Sequence, residues 1–115
     1  MDELIARVAT SAGIEPDVAR QAIAAIFGFL RTEGPQAQVS SALAQMPGAQ
    51  EAANAAESPG FGGLMGLASQ LMGLGLGMEQ LQTAGKELFA YARERAGDET
   101  IREITDAIPG LSQFV

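Results

Sequence analysis

Residues 16–33 read PDVARQAIAAIFGFLRTE, and their spacing decides the fold class. Val18, Ala19, Ala22, Ile23, Ala25, Ile26, Phe29 and Leu30 recur at the three- and four-residue spacing of one helix face, with Arg20, Gln21, Ala24 and Arg31 opposite. Pro16 suits a first helical turn, where its missing N–H costs nothing, and Asp17 lies at the positive end of the helix dipole. Gly34-Pro35 stops the helix, because a residue preceding proline is pushed out of the α region.

Outward from this stretch the grammar stays helical. Residues 2–12 gather Leu4, Ile5, Val8, Ala9 and Ala12 on one arc, with Glu3, Arg7 and Thr10 opposite. Glu3 and Arg7 are spaced to pair within that helix, and Gly13-Ile14 ends it. A helix over 36–45 uses Val39, Ala42, Leu43 and Met46, and Met46-Pro47-Gly48 closes it. Residues 49–57, AQEAANAAE, have high helix propensity but almost no apolar payload, so no helix is assigned there. Ser58 to Gly63 reads as a glycine-rich connection.

The second half repeats the first. An offset of 62 residues carries Phe27 onto Phe89, Phe29 onto Tyr91, Gly13-Ile14 onto Gly75-Leu76, and Met46-Pro47-Gly48 onto Ile108-Pro109-Gly110. Helices are therefore predicted over 64–74, 79–96 and 99–107, with Asp98 as the cap of the last. The expectation is a single all-α domain over residues 1–115. It is a compact bundle of five to six helices, built from two three-helix units (2–48 and 64–110) joined by 58–63.

Composition removes most chemistry. The 115 residues contain no cysteine and no histidine, which excludes disulfides, thiolate nucleophiles, the usual zinc ligands and every imidazole-based triad. A net charge of -7 is the wrong sign for non-specific binding to nucleic acid or anionic membrane. With 47% hydrophobic residues and a mean hydropathy of +0.12, the chain can fill a core. No secretory leader is legible, so a cytoplasmic location is expected. The uncharged run from Ser58 to Met78 is long enough to span a bilayer, but Pro59 and seven glycines, with Glu57 and Glu79 as flanks, argue against it.

No motif supplies an active site or a cofactor. Gly60-Phe61-Gly62-Gly63-Leu64-Met65-Gly66 fails the dinucleotide fingerprint at Met65 and lacks the Lys-Ser/Thr pair of a P-loop. Glu94, Asp98, Glu99, Glu103 and Asp106 are interleaved with Arg93, Arg95 and Arg102, as on a solvated helix face, and no calcium-loop spacing occurs. Its six serines lack a base. An enzyme, a metal site and a cofactor are all unexpected.

The informative segment is 64–74. Leu64, Met65, Leu67, Ala68, Leu71, Met72 and Leu74 cover roughly 200° of its girth at 100° per residue, and Gly66, Ser69, Gln70 and Gly73 fill the rest without a charge. Such a helix expects contact on both sides, as the centre of the bundle or as an oligomer contact. We name Met65, Gly66, Leu67, Met72 and Gly73 as the possible interface, with a second copy or another protein as partner. The competing expectation is an apolar small molecule or lipid held in a Leu- and Met-lined pocket between the units.

The pattern Leu4-Ile5-x-x-Val8, Gly13-Ile14-x-Pro16-x-x-Ala19-x-x-Ala22 and Ala42-Leu43-x-x-Met46-Pro47-Gly48, with the Gly/Leu-rich middle from Gly60 to Gly77, resembles a group of bacterial domains of unknown function. They include the VcgC/VcgE-type proteins and other short tandem-helical domains with a Leu-Pro stop after each repeat. The resemblance covers nearly the whole chain and departs where Met78 stands at the position matching Pro16. It implies an all-helical fold, and none of its motifs carries a catalytic residue.

Overall fold

The computed structural model describes residues 2–46, 48–55 and 63–108. Their helices are α1 (Asp2–Ala12), α2 (Pro16–Glu33), α3 (Gln36–Gln45), α4 (Ala49–Ala55), α5 (Gly63–Gly73), α6 (Met78–Ala96) and α7 (Asp98–Ala107), and no strand occurs among the described residues. The described count is seven rather than five to six, and α4 is the addition. It has no large apolar side chain, yet Ala49 and Ala53 are buried where α4 packs on α2 and α3. Alanine brings the helix backbones close, so tertiary contact supplies what the sequence's hydrophobicity does not.

Local expectations hold for α1 to α3, while α5, α6 and α7 each begin one residue earlier than the sequence predicts. Pro16 opens α2 as predicted. Asp98 is not the cap of α7 but its first residue; Gly97 takes the cap at φ 96° and ψ 147°, a conformation that glycine tolerates. Pro47, the 58–63 connection as far as Gly62, and Pro109-Gly110 lie outside the described residues.

The two long helices organise the rest. α2 touches α1, α3, α4, α5 and α6, while α6 touches α1, α2, α3, α5 and α7. α1 lies mainly along α6, on the far side of the sequence, α5 lies against α2 and α6, and α3 meets α7. One continuous core results. Phe27, Phe29, Phe89 and Tyr91 are its largest fully buried side chains, surrounded by aliphatic residues such as Leu4, Val8, Ile23, Leu88, Ile101 and Ile104. The overall extents of 31 × 29 × 25 Å describe a nearly isotropic body.

Several local details recur 62 residues apart. Ile14 N–H donates to Ala9 O at 3.0 Å past Gly13 (φ 68°), and Leu76 N–H donates to Leu71 O at 3.3 Å past Gly75 (φ 103°). Both are six-residue closures around a left-handed glycine. Met46 and Ile108 end α3 and α7 with φ/ψ of -109°/112° and -109°/111°. Their N–H groups donate to Leu43 O at 3.2 Å and Thr105 O at 3.4 Å.

Candidate functional site: the outward face of the fifth helix

α5 carries no charge anywhere in GLMGLASQLMG. Gly66, Leu67 and Leu71 turn toward the core, and Leu76 follows them inward past the Gly75 turn. Met65, Ser69, Met72 and Gly73 turn outward, within an arc of about 100°. Met65 is 81% exposed and Met72 48%, and Met78, at the start of α6, is 58% exposed. Of the five residues named from the sequence, Met65, Met72 and Gly73 therefore share the solvent face. Gly66 and Leu67 belong to the chain's own interior.

Gly73 has no intramolecular reason to be small. A Cβ built on it meets no atom within 4 Å, so the fold leaves an open notch there. Met65 lies two turns earlier on the same stripe and projects furthest.

α1 likewise precedes a long helix in the chain, but the side of it that carries Glu3 and Arg7 is closed by charge. Arg95 Nη2 donates to Glu3 Oε2 at 2.8 Å, and Arg7 Nη1 donates to Glu94 Oε2 at 3.0 Å. Arg7 Nε also lies 3.4 Å from Glu87 Oε2. Both guanidiniums stand over Tyr91, at 5.8 Å for Arg7 and 5.1 Å for Arg95. The hydrogen bond to Glu94 raises the Arg7 pKa above its ordinary value, and the bond to Glu3 does the same for Arg95. The expected Glu3–Arg7 pair within α1 is thus replaced: both side chains reach across to α6 because α1 packs along it. At the 62-residue offset, Met65 stands for Glu3, Ser69 for Arg7 and Met72 for Thr10. The ionic clasp has no counterpart on α5, because its residues cannot make one.

A surface depression of about 540 Å³ lies where the end of α1 meets the start of α6, lined by residues including Ser11, Gly77, Met78, Gln80 and Thr83. It sits between the two halves of the sequence, as the ligand-binding expectation requires, but its lining is mixed, with Met78 and Ala12 beside Ser11, Glu79, Gln80 and Thr83, and holds no leucine. Gln80 crosses it, accepting from Gly77 N–H at 2.9 Å and donating from Nε2 to Ala12 O at 3.1 Å.

Among the described residues no group of three or more Asp or Glu is placed to hold a metal ion. Among those residues no helix is long and apolar enough to cross a membrane either. The sequence reading missed Met78 as an exposed residue and the whole α1–α6 clasp. For the clasp a signal was present: Glu87, Glu94 and Arg95 crowd one stretch of helix, but nothing local names their partners. No family model matches the chain, nor does any curated protein or solved structure.

Proposed function

We propose that the chain is a non-catalytic helical interaction module that self-associates through the outward face of α5. One observation carries this: Met65 is 81% exposed on a helix without a single charge. Exposed apolar surface of this kind marks contact sites. A second copy suits the face on charge. Each chain is at -7, so copies repel except where acidic groups are kept apart, and α5 offers no acid to bring together. A two-fold contact between antiparallel α5 helices crosses near Ser69 and lays Met65 of one copy over the Gly73 notch of the other. One helix stripe buries less than the roughly 800 Å² per partner of a standard interface, so the association is weak and concentration-dependent.

The same reading treats the chain as two fused three-helix units, α1–α3 and α5–α7, with α4 an insertion between them. The recurring caps and turns support it, and so does the mutual exchange in which α1 packs on α6 and α5 on α2. It also keeps the chain beside the VcgC/VcgE-type tandem-helical domains. Among the differences between the units, one face is ionic and closed on α1 and apolar and open on α5. An open apolar face on α5 fits a surface with a partner.

Light scattering across a concentration series tests the proposal. The native chain rises in mean mass with concentration; Met65→Glu and Met72→Glu stay monomeric, while their thermal unfolding at low concentration matches the native chain. A native chain of monomer mass at every concentration refutes self-association.

A further inference from the structure

All the large apolar side chains that stand exposed among the described residues are methionines: Met65, Met72 and Met78. Met46, by contrast, is 2% exposed. Leucine would have served an apolar contact equally well in hydropathy, and leucine is what α5 uses on its buried side at Leu67 and Leu71. The outward face is thus the reactive one. A thioether is the side chain that can be made polar by a single oxygen without breaking the chain or charging it, and with no cysteine present, no thiol competes for the oxidant.

We propose that Met65 and Met72 form an oxidation site at which hydrogen peroxide switches off the α5 contact, an inference that rests on the self-association reading above. The thioether sulfur attacks one peroxide oxygen, the O–O bond breaks, an S–O bond forms and water leaves. Sulfur gives up two electrons and the peroxide takes them. The product sulfoxide is a polar acceptor on a longer, chiral head, and burying it against the apolar stripe of a second copy leaves that acceptor without a partner. Because both side chains point away from the core, the folded chain accommodates the change. Methionine sulfoxide is reducible, so the site can be restored.

The test treats the folded protein with hydrogen peroxide, locates the added oxygen by peptide mass spectrometry, and measures mass in solution by light scattering. Met65, Met72 and Met78 are expected to be oxidised well before Met46, with the protein shifting from associated to monomer mass and its unfolding temperature at low concentration unchanged. Reduction by methionine sulfoxide reductases restores association. The double variant Met65→Leu/Met72→Leu associates like the native chain and stays associated after peroxide, although its Met78 is still oxidised. Oxidation of Met46 as fast as Met65, or release of the leucine variant by peroxide, overturns the switch while leaving self-association standing. An untreated chain that never exceeds monomer mass overturns both.

Discussion

The guanidinium of Arg95 lies 5.1 Å over the ring of Tyr91, one turn earlier in α6, and from that seat its Nη2 donates to Glu3 of α1 at 2.8 Å. Tyr91 is 2% exposed, so the ring is a fixed floor rather than a mobile surface group. Arg7 shares the same floor from the α1 side. The two cations and three carboxylates make a network on a rigid base, which is the setting in which surface ion pairs contribute measurably.

Arg7→Ala is expected to lower stability by up to ~1 kcal/mol at low salt, and the difference from the native chain shrinks as salt rises. Its pH dependence follows from the raised guanidinium pKa. A folded pKa above the ordinary guanidinium value means that the contribution is complete below that ordinary value and lost only as pH rises through the folded one. Urea unfolding of native and variant chains between about neutral pH and pH 10 therefore returns a constant difference. A gap that closes within that window refutes the role of Arg7.

Gly34 and Gly73 separate two reasons for a glycine. A Cβ at Gly34 would lie 2.7 Å from Leu30 O and 2.9 Å from Val39 Cγ2, at an ordinary φ of -88°. Gly34→Ala is expected to cost about 1–3 kcal/mol through crowding at the α2–α3 corner. At Gly73 the space is open, so Gly73→Ala is neutral or stabilises the monomer by up to ~1 kcal/mol. Denaturation of both variants at low concentration checks the contrast, and a destabilising Gly73→Ala contradicts it.

Gln80 ties the end of α1 to the start of α6 by two hydrogen bonds. Gln80→Ala frees the Gly77 N–H and the Ala12 carbonyl together, with an expected loss of about 1–2 kcal/mol. Gln80→Glu keeps the acceptor for Gly77 but removes the donor to Ala12, and is expected to fall between the two. Equal stabilities for all three chains count against the tie.

Phe27 and Phe89 are fully buried at matching positions of α2 and α6. Truncation of either to alanine is expected to cost ~3–5 kcal/mol. If the two-unit reading holds, the two costs agree to within about 1 kcal/mol, the ordinary scatter of such substitutions. A strongly unequal pair argues that the halves are not equivalent.

What the sequence disclosed was local. Pro16, Gly13-Ile14 and Gly34-Pro35 act through the backbone of their own neighbours, and the helix limits they predict are those observed. α4 escaped because AQEAANA has only methyl groups to bury, and their value depends on α2 being close. Asp98 lost the cap to Gly97 because glycine can take a turn conformation that aspartate resists. The solvent face of α5 was unreadable for a related reason. Met65 and Leu67 are both apolar and two positions apart, and only the placement of α2 and α6 decides which of them is covered.

Placing α1 against α6 gives synthesis an unusual order. α1 is made before α6, yet Glu3 and Arg7 reach Arg95 and Glu94 only once α6 has followed. Until α6 is made, α1 has mainly α2 to lean on, and the side of α1 that α6 covers stays open. The seal on α1 therefore waits for a helix more than seventy residues further along the chain.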